Sequence, residues 1–340
     1  MGRLMATLAG AVTSARLTLK VHRFEVLAVS VAAIVVAASS LIVTYRLNAV
    51  GVTTHCLVAW LTSGPDSVGA CADPVSRWAS INEDEAGKIA AAMALLPWAI
   101  GLLVGVPLVG RELEARTAAM AWSLSGSRRR WLAGRLGPVL LLVLGLSVVG
   151  GVAMAILETA RSGDGVWHNL YQDAELFGAP VVAHALAGLG IGVLVGALMG
   201  RTLPALIVGG LVAIVLFNVG QIEHQAYLPA SVFDNPNVMA VPVGGGVNPD
   251  DVKLVMDPDL DYRFQTSDGQ LLTREAAIAT VPAGTTDVAS WLVTHYALIF
   301  EGPSTALTSS WQLAETVGFG GLGGLLVLLT FPVVERARPT

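Results

Sequence analysis

Charge is scarce in this chain. Only 13% of its residues are Asp, Glu, Lys or Arg, while 54% are hydrophobic. Soluble domains average about 25% charged residues, so an integral membrane protein is implied. Lysine is rarer still, three residues against seventeen arginines, a bias that reads as codon usage rather than chemistry. Cysteine is confined to Cys56 and Cys71, with only His55 nearby, which argues against a metal site. A phosphate-binding loop is missing. Gly87-Lys88 is followed by Ile89, and position 82 is asparagine where such a loop needs its first glycine. No cofactor is therefore expected in this chain, and nucleic acid is not an expected partner. The N-terminal stretch is broken by Arg3, Arg16 and Lys20 and shows no small-residue cleavage site after a short apolar core.

Long apolar runs are abundant. Six are read as membrane spans: Phe24 to Tyr45, Lys88 to Gly110, Leu136 to Leu157, Phe177 to Gly200, Leu203 to Val219 and Leu313 to Val334. About 20 apolar residues cross a hydrocarbon core of ~30 Å. The second run contains Pro97 and Pro107, which predict kinks. The fold class is an all-α polytopic membrane protein with additions. Residues 1–23 place Leu4, Leu8, Val12, Leu17 and Val21 on one helical face, which suits an interfacial helix; a frayed tail is the alternative. Residues 24–219 hold the first five spans, and 313–340 hold the sixth span and a basic tail. Residues 220–312 read as a small extracellular α+β domain. Within it, Tyr262 to Thr273 alternates around Ser-Asp-Gly, a hairpin signal. Thr286 to Phe300 reads as a helix, with Trp291, Tyr296 and Phe300 as interfacial anchors.

The segment 111–135 is the organising element, because it is densely basic between two spans. It carries Arg111, Arg116, Arg128, Arg129, Arg130 and Arg135 against Glu112 and Glu114. Arginine-rich loops stay in the cytoplasm. With both termini inside, the inner segments hold 13 of the 20 basic residues and only 4 of the 25 acidic ones.

Cys56 and Cys71 then fall in the first outer loop, where disulfides persist; bridging them is the favoured reading, with two free thiols the alternative. His184 is the one ionisable residue well inside a span. With no acidic partner apparent in the spans, it reads as a packing histidine. Gly188, Gly192 and Gly196 recur every four residues, a spacing that lets another helix approach closely.

The stretch GRELEARTAAMAWSLSGSRRRWLAGRL, Gly110 to Leu136, resembles the ABC-2 type permeases of actinobacterial ABC transporters. WQLAET, Trp311 to Thr316, is a second match at the entrance of the last span. Arg116 departs from the pattern, standing where that family usually has glycine. The resemblance implies a type V exporter-like fold and two permease subunits, identical or not, paired with two cytoplasmic ATPases that carry ATP and Mg. It also implies a coupling helix in the loop, with Glu112, Glu114, Arg116 and Thr117 at or near the ATPase contact. Arg128, Arg129 and Arg130 read equally well as inner-leaflet lipid contacts.

The leading reading is the membrane subunit of an ATP-driven exporter of an amphiphile, a drug, lipid or peptide. It is not itself expected to be an enzyme. A secondary transporter, which would need proton or ion groups in its spans, and a non-transporting sensor or scaffold are the alternatives.

Overall fold

Residues 18–53, 56, 69–125, 127–161, 173–227, 240–241, 260–266, 270–303 and 305–336 are described by the structure, a computed structural model. The expected interfacial helix lies largely outside them; of residues 1–23 only 18–23 are seen, helical over 18–21 before His22 turns the chain.

Among the described residues, six helical rods are long and apolar enough to cross a membrane. The first is α1 (Arg23–Val50). A 3-10 turn (Gly69–Cys71), α2 (Ala72–Ser80), a π-turn (Ile81–Ala86) and α3 (Gly87–Glu114) together make the second. The short α4 (Ala118–Ser125) then leads to α5 (Arg128–Arg161). A 3-10 turn (Ala174–Leu176) precedes α6 (Ala179–Met199), and α7 (Thr202–Tyr227) follows. The last is α10 (Thr305–Arg336).

Most of these helices overrun the apolar runs that announce them, α5 by about two turns at its start. Hydropathy reports only the part in hydrocarbon, and the polar ends continue through the headgroup layer. The segment 111–135 is accordingly a sharp elbow, made of the ends of α3 and α5 with α4 between them. Likewise α7 continues to Tyr227 and α10 begins at Thr305, so both eat into the segment 220–312. Pro97 and Pro107 lie inside α3, which runs on through both.

The bundle is centred on α6. Lipid tails are as apolar as leucine, so helices in a bilayer gain little by merely hiding apolar surface and associate by close packing. Gly101 and Gly105 of α3 meet Gly188 and Gly192 of α6, and Gly196 meets Val106. A methyl on Gly101 would sit 2.3 Å from the Ala185 oxygen, and one on Gly188 would sit 2.6 Å from the Trp98 oxygen. On another face of α6, a methyl on Gly190 would meet the Gly323 oxygen of α10 at 2.5 Å. The glycine repeat is thus spent within the chain.

Ion pairs mark the two ends. Arg111 binds Glu25 at 3.2 Å where α3 ends beside the start of α1. Arg46 pairs with Glu85 at the other end. There Cys56 and Cys71 are joined in a disulfide. We call these the arginine end and the disulfide end.

Between α7 and α10 the chain builds an α+β unit. β1 (Ala240–Val241), β2 (Leu260–Gln265), β3 (Leu271–Leu272) and β4 (Ala297–Pro303) form an antiparallel sheet in the order β1-β4-β2-β3. The expected hairpin is present, with Phe264 opposite Leu272 and Gln265 opposite Leu271; its tip, 267–269, lies outside the described residues. Two short helices, α8 (Arg274–Ile278) and α9 (Val288–His295), are capped by Thr273 and Asp287, each accepting a backbone N–H. The expected single helix from Thr286 to Phe300 is corrected here: it stops at His295, and 297–303 becomes β4, held by strands on both sides. A short apolar run does not distinguish helix from buried strand by period. Tyr296 is a core residue rather than an interfacial anchor. It is 9% exposed, packs on Phe264, and its hydroxyl lies 2.7 Å from the Thr280 hydroxyl.

Candidate functional site: the elbow at the arginine end

The elbow begins with the way α3 stops. Thr117 N–H donates to the Glu112 carbonyl at 3.1 Å, and Arg116 N–H donates to Leu113 at 3.2 Å. These are the two bonds of a Schellman stop, which needs a left-handed residue between them. That residue is Arg116, with φ 58°, the one non-glycine with positive φ among the described residues. The resembling family's preference for glycine at this position has its physical reason here, because a Cβ in that conformation costs roughly 1–2 kcal/mol. Thr117 then starts α4, its carbonyl accepting from Ala121 N–H at 3.0 Å. Arg116 and Thr117 are both exposed, as is Met120 at 70%.

The two acids are engaged by other helices instead, Glu112 largely buried and Glu114 exposed. Glu112 pairs with Arg135 of α5, and both side chains are largely buried. The Arg135 guanidinium also lies 5.0 Å from the Trp131 ring centroid. Glu114 accepts from the Thr202 N–H at 3.0 Å and from its hydroxyl at 2.8 Å. It thereby satisfies an orphan donor at the start of α7, where the helix dipole also favours an anion. Each acid ties the end of α3 to a different helix.

The arginine triplet divides three ways. Arg128 donates to the Val334 and Glu335 carbonyls at 3.2 and 2.5 Å, capping the end of α10, and its guanidinium lies 4.2 Å over Trp122. Arg129 binds the Glu335 carboxylate, with one contact at 2.8 Å. Arg130 is exposed, and its N–H donates to the Ser127 hydroxyl at 3.2 Å. Trp122 and Trp131 meet edge to face at 6.1 Å. Hence α1, α3, α4, α5, α7 and α10 all meet at this end.

His22 lies beside the elbow and is 1% exposed; neither ring nitrogen has a hydrogen-bond partner among the described residues. Burial holds its pKa below the ordinary value; Glu25 opposes the shift, while Arg135 and Arg111 add to it.

The family model for ABC-2 membrane transporter related proteins matches residues 24–222, from α1 to the last turns of α7. The chain belongs to this family. No curated protein and no solved structure matches it. As an ABC-2 related transporter it is a multi-pass membrane protein of the permease kind, and membership implies association with an ABC ATPase.

In this ABC-2 related chain the sequence pointed to the elbow but not to its partners. Glu25, Arg135, Thr202 and Glu335 were in plain view as charged or capping residues at span ends. Only the helix arrangement pairs them with Arg111, Glu112, Glu114 and Arg129. The tryptophans of AMAWSLSGSRRRW lie close to arginines in the sequence, and the fold sets Arg128 over Trp122 and Arg135 over Trp131 as cation–π pairs.

Proposed function

We propose that the chain is the membrane subunit of an ATP-driven exporter, with the elbow as the contact for a cytoplasmic ABC ATPase. The observation that carries this reading is the braced elbow. Arg116 and Thr117 protrude at a strained left-handed stop, while Glu112 and Glu114 beneath them are bound to α5 and α7. A lever needs such a division, with a free tip that receives force and ties that pass it to the spans. Within the family-implied contact set, Arg116 and Thr117 would touch the ATPase, while Glu112 and Glu114 would hold the tip in place. Arg130 remains the best candidate of the triplet for lipid phosphates, since Arg128 and Arg129 already bind the end of α10.

In this reading both termini and the elbow are cytoplasmic. The Cys56–Cys71 disulfide and the α+β unit are extracellular, where an oxidised cystine persists. ATP and Mg sit on two partner ATPases and hydrolysis occurs there. A second permease subunit completes a path in the cell membrane for an amphiphilic substrate. The test is co-purification. Tagged chain drawn from native membranes should bring an ATPase with it, and ATP hydrolysis by the complex should respond to changes at Arg116.

A further inference from the structure

The reason for reading His184 as inert was the lack of an acidic partner, and the structure supplies one. Its Nε2 lies 3.0 Å from Glu315 of α10, and the two side chains are 5% and 1% exposed. The imidazole is stacked on Trp98 of α3 at 5.1 Å and meets Phe319 of α10 edge-on at 4.9 Å. The second Glu315 oxygen is buried and has no hydrogen-bond partner among the described residues. His184 lies five residues into α6, about 8 Å below its first residue at 1.5 Å per residue. An ionisable pair at such a depth is expensive to keep and points to a function.

We propose that His184 and Glu315 form a proton-binding site inside the transporter, one proton shared between α6 and α10 and exchanged with the disulfide end through Glu175 and Asp173. Further buried acids lie beside the pair. Glu158, Glu175 and Glu315 are buried and Asp173 is partly so, and Arg161 contacts Glu158 at 2.6 Å and Asp173 at 2.9 Å. Arg161 also donates to Asn82 of the π-turn at 2.9 Å. Glu175 accepts from Gln221 at 2.7 and 2.6 Å and lies within electrostatic reach of Glu315, His184 and Asp173. His224 of α7 stacks on Trp311 of α10 at 5.0 Å and acts on Asp173. Burial, and after it the charge of Glu315, pushes Glu175 above the usual carboxylate range, in line with a proton resident in this network.

The pair bridges the seam where Gly190 and Gly323 bring α6 and α10 together. With its proton, the site holds opposite charges in contact. Without it, a bare carboxylate faces a neutral ring and the seam loosens. Proton supply at the disulfide end is thereby linked to the packing of the last span. This proposal goes beyond the ATPase reading and does not depend on it.

The experiment is histidine-selective nitrogen NMR of the full-length chain in lipid nanodiscs, titrated from acid to alkaline pH, with His184→Gln identifying the signal. The expected result is a single protonation step at His184, with proton affinity lowered about tenfold or more in Glu315→Gln, since an adjacent carboxylate favours the charged imidazole. Glu175→Gln should leave the step in place and change it less. An imidazole that stays neutral throughout, or a titration untouched by Glu315→Gln, overturns the proposal. Should Glu315→Gln fail to insert, the wild-type titration decides, because the proposal requires a proton step at His184.

Discussion

Glu114 at the end of α3 accepts two hydrogen bonds from Thr202 at the start of α7, across the turn that follows α6. The contact makes the elbow part of the bundle rather than an appendage. A push at Arg116, two residues on, reaches α7 through Glu114 and α5 through Glu112 and Arg135.

Arg116 carries the cost of a glycine's backbone. Arg116→Gly should raise the stability of the purified chain by about 1 kcal/mol, and Arg116→Val should lower it by more, because a β-branched residue fits the left-handed region worst. Thermal unfolding in detergent followed by circular dichroism checks both. Equal stability of the three forms would mean that the stop of α3 is not strained.

Removing the charge of Glu112 should be costlier than removing that of an exposed acid. Glu112→Gln leaves Arg135 buried with half its partner gone, a loss of about 3 kcal/mol or more by analogy with broken buried pairs. Glu112→Gln with Arg135→Gln should recover much of that loss. A double-mutant cycle measures it, and additive losses would show that the two residues do not interact.

His22 should make the chain acid-sensitive. Its folded pKa is depressed by burial, so the stability it contributes is full above its ordinary value of 6.5 and is lost as pH falls through the folded value. His22→Phe should flatten the stability profile below that point and add about 1 kcal/mol at neutral pH by removing two unsatisfied ring nitrogens. Melting curves over a pH series would show this, and identical profiles for both forms would exclude it.

Topology is open to labelling. Ala283→Cys in the α+β unit should react with an impermeant maleimide in intact cells, and Ser123→Cys in α4 should react only after lysis. The native pair Cys56–Cys71, being a disulfide, should stay silent in both. The reverse pattern would invert the assignment of inside and outside.

The sequence revealed what depends on local composition. Six apolar runs, the basic segment 111–135, the Ser-Asp-Gly hairpin and the glycine spacing of α6 can each be seen in a window of a few residues, and each corresponds to an element of the fold. What stayed hidden depends on which helices are neighbours. His184 and Glu315 are 131 positions apart, and nothing local says that α6 packs on α10. Glu112 and Glu114 looked free for a partner because their own partners, Arg135 and Thr202, sit on other helices. Helix ends were short for a similar reason, since a polar turn outside hydrocarbon is paid for by contacts that hydropathy does not see.

The docking role of the elbow can be measured with Arg116→Asp combined with Met120→Ser. Aspartate tolerates the left-handed backbone better than most residues, so the fold is kept while the exposed charge is reversed and an exposed apolar contact removed. Tagged wild-type chain and the double variant are solubilised from membranes at equal level, and the co-purifying ABC ATPase is quantified together with its ATP hydrolysis. The account expects the wild type to retain the ATPase and the variant to lose at least about tenfold of it, as a reversed charge and a lost contact at an interface together cost more than 1.4 kcal/mol. Undiminished ATPase in the variant, or none with the wild type, would contradict it.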